Sequence, residues 1–226
     1  MDLETVMKEL ESLGTEQNRK VYPRHGVKGA LFGVSFKDIG ILSKRIKKDS
    51  ILAKELWSTK NHDARILSTM IMNPLELERT QLKEWVNDLD NYVITDAFVK
   101  MAFQSEQAYP LMLEWISSDK EFISAAGWNM VALYAMEMND EDDRFFLDFL
   151  EKIEKTIHSS PNRTRYNMNN ALIAIGARNA ILYDVAIKVA EVVGKVEVDH
   201  GQTSCKTPDA RSYIIRTFER KKKRKK

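Results

Sequence analysis

Apolar residues recur at spacings of three and four along almost the whole chain, a rhythm that admits helices and little else. Leu3, Val6, Met7, Leu10 and Leu13 trace one face of a first helix, closed by Gly14. Thr15 reads as the N-cap of a short second helix through Tyr22. After the break HGVKGALFGVS, residues 36–46 place Ile39, Leu42 and Ile46 on one side. The same spacing predicts helices over 51–58, 62–72, 77–88, 92–103, 107–117, 120–138, 140–159, 163–177, 180–193 and 208–220. Short polar joints such as 60–61, 88–91, 118–119 and Asn139 separate them, and Thr207-Pro208 opens the last in cap-then-proline fashion. Five prolines and nine glycines in 226 residues suit long helices with short turns, and no period-2 strand is found.

Helix, short turn, helix, repeated every 30 to 40 residues, predicts an all-α, HEAT-like α-solenoid of antiparallel helix pairs with a concave groove. A compact all-α bundle is the competing architecture. The expected organisation is one domain over residues 1–219 and a disordered basic tail over 220–226. Helices centred near 66, 96, 128 and 169 would line the groove.

The formal charge of +2 hides its distribution, because 220–226 alone holds seven positive charges and leaves −5 elsewhere. Residues 19–48 contain nine Lys or Arg against the single acid Asp38, whereas 137–155 contain eight acids and three bases. Such polarity lets a defined face bind a polyanion, and the tail would add affinity for nucleic acid through counterion release.

The N-terminus carries Asp2 and Glu4 and lacks the apolar core of a signal peptide. No run approaches the roughly 20 apolar residues that a membrane span needs, and the single Cys205 permits no intrachain disulfide. A cytoplasmic protein with no membrane partner is expected.

Asp96 is the acid of an otherwise apolar stretch, YVITDAFVKMAF, with Tyr92 one helical turn earlier. An unpartnered buried carboxylate is costly, so Asp96 needs either a partner or a task. An aromatic face and a carboxylate at i and i+4 are placed to hold a cationic ring. Arg163, Arg165, Tyr166, Asn167, Asn169 and Asn170 crowd one helix start with no acid among them, a candidate phosphate site. The alternative is capping and inter-repeat hydrogen bonding by the asparagines. His25 and Lys28 lie in the basic N-terminal region as further backbone contacts. Asp199, His200, Cys205, Lys206 and Asp209 share a polar loop, 196–210. One Cys and one His lack the paired spacing of a zinc site, so the loop is expected to pack back on the helices or to touch a phosphate through Lys206. Trp57, Trp85 and Trp115 read as core; Trp128 does too, though it lies close to the expected groove.

Three segments together resemble a known family. ALFGVSFKDIGILSKRI (30–46), NHDARILSTMIM (61–72) and NYVITDAF (91–98) are similar in order and spacing to the DNA alkylation repair family of HEAT-like DNA glycosylases. The resemblance implies a groove that holds double-stranded DNA and excision of cationic N3- or N7-alkylated purines without base flipping. It further implies that Asp96 steadies the positive charge growing on the deoxyribose, and that Tyr92 stands where the family has a tryptophan. Ala125 and Ile173 stand where the family has arginines, and Asn170 where it has a second lesion-facing tryptophan. The pattern is that of a divergent branch.

The leading expectation is therefore a monomeric DNA-binding repair protein, acting as a glycosylase if its reaction is retained, with neither cofactor nor metal. Asp96 is the catalytic candidate, and Tyr92, Trp128 and Asn170 are the substrate-binding candidates. His25, Lys28, Arg65, Arg163, Arg165, Arg178 and Lys206 are the DNA-binding candidates. The alternatives are a noncatalytic module binding bent or branched DNA, and a protein-interaction scaffold.

Overall fold

The computed structural model describes residues 1–138 and 142–224. Among them the chain is helical, with no strand, and it forms two compact units. Unit 1 comprises residues 1–109 and 201–203; unit 2 comprises 110–200 and the residues from 204 onward.

Unit 1 holds α1 (Leu3–Leu13), α2 (Glu16–Val21), α3 (Phe36–Ile46), α4 (Ser50–Ser58), α5 (His62–Ile71), α6 (Arg79–Asn87) and α7 (Tyr92–Ala102). Single 3₁₀ turns follow α2 and α5, at Tyr22–His25 and Pro74–Glu76. The second turn was not anticipated; Pro74 cannot continue a helix, and the Asn73 side chain caps the turn by accepting from the Leu75 N–H. Helix starts are set by short polar side chains: Asp2, Thr15, Ser35, Asp49, Asn61 and Asn91 each accept from a first-turn N–H.

Helix α5 is the hub of unit 1 and packs against α1, α3, α4 and α7. Nearly all of it is buried, including the polar residues His62, Asp63, Ser68 and Thr69. Asp63 is fully buried, and its carboxylate accepts three backbone N–H groups. Phe32 and Gly33 donate to Oδ2 at 2.6 and 3.0 Å, and Val34 donates to Oδ1 at 3.0 Å. The loop so held is anchored at four more points. Thr15 N–H donates to the Gly33 carbonyl (3.0 Å), and Arg19 Nη1 to that of Phe32 (3.0 Å). Tyr22 Oη donates to the Val34 carbonyl (2.5 Å), and His62 N–H to that of Ala30 (2.9 Å). Gly33 has φ +77°, and a Cβ there would lie 2.8 Å from the Arg19 backbone nitrogen and 2.9 Å from the Thr15 carbonyl oxygen. Only glycine fits both the conformation and the space.

Elsewhere in unit 1 Trp57 and Trp85 stack with ring centres 4.3 Å apart and planes 5° from parallel. Trp57 Nε1 donates to Asp88 Oδ2 at 2.8 Å, so this buried indole is satisfied.

Unit 2 holds α8 (Ala108–Trp115) from Pro110 on, α9 (Glu121–Glu137), α10 (Asp143–Thr156), a 3₁₀ turn (Ile157–Ser159), α11 (Asn162–Gly176), α12 (Ala180–Val193) and α13 (Ala210–Arg224). Helix α11 packs on α9, α12 and α13. Gly127 of α9 sits where a Cβ would meet the Ile116 backbone nitrogen at 2.5 Å, so the chain after α8 lies directly on α9. The predicted joint at Asn139 and helix start at Asp140 fall outside the described residues. The C-terminal helix, expected over 208–220, spans Ala210–Arg224, and Ile214 and Phe218 dock it on its neighbours. Residues 225–226 of the basic tail lie outside the described residues.

Replacing Asp63 with Asn turns one oxygen into a donor that faces backbone donors. Asp63→Asn should destabilise the protein by about 3 kcal/mol, read by urea unfolding; an unchanged midpoint would mean that the carboxylate is not needed. Burial holds the His62 imidazole below its ordinary value, against the opposing pull of Asp63 and Asp90. As pH falls through about 6.5, the unfolded chain therefore takes up a proton that the folded chain refuses, and stability is lost. The melting temperature should drop between pH 7.5 and 5.5, and His62→Gln should flatten that decline.

Candidate functional site

Helix α7 presents two faces. Ile94, Thr95, Phe98, Val99, Met101 and Ala102 are buried. Tyr92, Asp96 and Lys100 follow at steps of four on the other face and, with Gln104 just past the helix end, line an open cleft of about 680 Å³ within unit 1. Phe36, Lys48, Thr69 and Met70 belong to the opposing wall. The anticipated burial of Asp96 is corrected: the residue is exposed, because the apolar neighbours that seemed to surround it turn inward. It therefore needs no buried partner.

Asn91 sets the start of α7 by accepting from the Val93 and Ile94 N–H groups at 3.0 and 3.1 Å, which fixes where Tyr92 emerges. The Tyr92 hydroxyl shares a hydrogen bond with His25 Nδ1, and the two rings meet edge-on with centres 6.0 Å apart. His25 is thus a positioning partner of Tyr92. Lys28 is exposed on the loop beyond.

Sequence reasoning missed Lys48. Its ammonium donates to the Met70 and Met72 carbonyls at 3.2 and 2.7 Å, at the C-terminal end of α5, and burial lowers its pKa. Two of its three N–H bonds are used and the side chain lines the cleft. Lys100 and Gln104 were also missed, although the four-residue step from Tyr92 to Asp96 points straight at them. The cleft thus holds two lysines and one acid.

Several sequence candidates have structural duties. The Arg65 side chain, expected to contact DNA, is 11% exposed and bridges Asp88 at 3.0 Å. Its Nε also donates to the Trp57 carbonyl (3.2 Å), and its guanidinium lies 5.1 Å over the Trp57 ring. Trp128 is 1% exposed, edge-on to Phe149, and so offers no stacking face to a ligand. Arg178 donates to the carbonyls of Ala135 and Met138 at the end of α9 and covers Phe146, so it serves as a helix cap.

The residues expected as a helix-start phosphate site in unit 2 have protein partners. The Arg163 N–H donates to Glu121 Oε1 at 2.7 Å, so a carboxylate already occupies the start of α11. Arg165 donates to the carbonyls of Glu197 (2.9 Å) and Ser160 (3.0 Å), while the Arg163 guanidinium lies 5.9 Å over Tyr166. Asn167 and Asn169 donate to the Ala125 and Pro208 carbonyls, and Asn162 exchanges two hydrogen bonds with the Asp199 backbone. Asn170 is half-buried. This cluster staples the 196–209 segment to α11, the packing role anticipated as the alternative. His200 meets Tyr166 edge-on and Thr207 by a 3.0 Å hydrogen bond, and burial lowers its pKa. Lys206 and Cys205 are exposed. Among the described residues no three His, Cys, Asp or Glu side chains are grouped to hold a metal ion. No helix among them is long and apolar enough to cross a membrane.

Stacked pairs of helices with an open, cation-flanked cleft define a HEAT-like helical-repeat protein. A solved structure with TM-score 0.89 and 30% identity, covering 98% of this chain and 95% of its own, represents "a new family of proteins related to the HEAT-like repeat DNA glycosylases with affinity for branched DNA structures". The model of the DNA alkylation repair enzyme family matches residues 6–214, and the chain belongs to that family. Uncharacterized proteins of Listeria innocua and Listeria monocytogenes are 30% and 29% identical to it. The matches cover 94% and 95% of this chain, and 95% and 96% of the Listeria proteins.

Because Arg65 supports Trp57 and Asp88, Arg65→Gln should cost about 1–3 kcal/mol of stability. It should leave the salt dependence of any DNA binding unchanged, measured by fluorescence anisotropy. A shallower salt slope with an unaltered melt would restore Arg65 as a phosphate contact.

Proposed function

We propose that this protein binds DNA noncatalytically, with a preference for branched or sharply distorted duplexes, through the α7 cleft of unit 1. The observation that carries this reading is the cleft's composition. Lys48 and Lys100 offer ammonium groups to phosphates, Tyr92 offers a ring on which an unstacked base can rest, and one acid stands between them. The solved relative with affinity for branched DNA supports the preference. Trp128 is buried, and Ala125 and Ile173 occupy the places of two arginines that the family resemblance implies, so the equipment for gripping a lesion is reduced.

Magnitudes favour binding over cleavage. A carboxylate 4 Å from a sugar cation gives about 1 kcal/mol in water and about 4 kcal/mol at an effective dielectric near 20. Exposed Asp96 reaches the larger value only if DNA displaces water from the cleft. That condition defines the second reading, favoured by the juxtaposition of Tyr92 and Asp96: hydrolysis of the N-glycosidic bond of a cationic alkylpurine.

A four-way junction should bind at least about tenfold more tightly than a linear duplex of equal length at 0.1 M salt. Tyr92→Ala with Lys100→Ala should remove most of that margin, and equal affinity of the wild type for the two DNAs would sink the preference. Base release from 7-methylguanine DNA decides the second reading. Release by wild type but not by Asp96→Asn establishes catalysis; matching background from both removes it.

A further inference from the structure

The C-terminal part of α13 is built differently from a solvated tail. Between Arg216 and Arg224 six residues are Lys or Arg and one, Glu219, is acidic. Arg216, Arg220, Lys221, Lys222 and Lys223 are exposed. The helix is nevertheless anchored to within one turn of the cluster. Ile214 is fully buried, and Phe218 stacks on Tyr183 with ring centres 4.5 Å apart. Lys222 Nζ lies 4.7 Å over the Phe218 ring, and the Arg216 guanidinium 4.3 Å over Tyr213.

Such an arrangement carries a cost. Arg216 and Arg220 are four apart, and Arg220 and Lys223 three apart, so like charges share a face and repel; Glu219, three after Arg216 and four before Lys223, offsets only part of this. The helix dipole rewards cations in the last turn, but Arg216 and Arg220 stand before it. A ligand that repays this repulsion must bring several negative charges in a row. Residues 219–224 include no apolar side chain, so this segment lacks the apolar face with which an interfacial helix enters a lipid surface. A phosphodiester backbone fits both requirements.

We infer that the end of α13 is an ordered phosphate-contact arm that grips nucleic-acid backbone without reading sequence. This rests on the DNA-binding reading above and adds to it a contact surface that belongs to unit 2. Helical order holds the cations on a defined face, with Arg220 and Lys223 side by side, where a disordered tail would have to be ordered on binding.

The test compares the full-length wild type with Arg216→Gln/Arg220→Gln/Lys223→Gln, the three cations that share a face, on one labelled duplex from 0.05 to 0.2 M salt. Each lost phosphate contact should lower the slope of log affinity against log salt by about 0.9. The triple variant should therefore show a slope lower by about 2–3 and weaker binding at low salt, with an unchanged melt. An unchanged slope overturns the arm while leaving the cleft reading intact; a wild type that binds no DNA at 0.05 M salt overturns both. Phe218→Ala keeps every charge and tests the order: a several-fold loss of affinity at an unchanged slope supports an anchored arm, and wild-type affinity overturns it. Vesicles of phosphatidylserine and phosphatidylcholine complete the comparison. Vesicle binding lost in the triple variant, with its DNA slope intact, assigns the arm to lipid and overturns the inference.

Discussion

One carboxylate ties unit 1 together. Asp63 lies in the first turn of α5 and turns outward from that helix to take three N–H groups of the 30–35 segment. A loop buried against helices would otherwise leave these donors unpaired, at about 1–3 kcal/mol each. With the loop fixed, Ser35 can cap α3, and α3 can lie against α5 to form one wall of the cleft. The fold of the cleft therefore depends on a residue that does not line it.

The cleft residues follow a different logic. Tyr92, Asp96 and Lys100 share the outward face of a helix whose inward face is filled by Ile94, Phe98, Val99 and Met101, and Gln104 follows in the turn beyond it. None of the four is needed to fill the core, which leaves their chemistry open to selection by a ligand. Charge in such a place is cheap when the cleft is wet and strong when it is covered, since the surrounding dielectric sets its value. A polyanion that closes over the cleft would supply both the partner and the covering.

Much of the architecture was legible because helical spacing and caps are local signals. Helices 36–46 and 180–193 were bounded correctly from apolar steps and flanking polar residues, and the all-α, HEAT-like class followed from them. The facing of Asp96 was not legible in the same way. A run such as YVITDAFVKMAF is apolar on average, and only assigning each position to the inner or outer face shows the acid pointing out. Arginines misled for another reason. Arg65, Arg165 and Arg178 look like phosphate ligands in sequence, yet each donates to a carbonyl more than twenty residues away, a pairing that only tertiary structure reveals. Lys48 was overlooked because its partners, the Met70 and Met72 carbonyls, exist only where α5 ends beside it.

The glycine at position 33 has a wider consequence. With no room for even a methyl group, that position and Asp63 form a lock whose parts cannot drift independently. The cleft positions on α7 hold no part of that lock. Mutation can then rewrite what the surface recognises while the frame stays put.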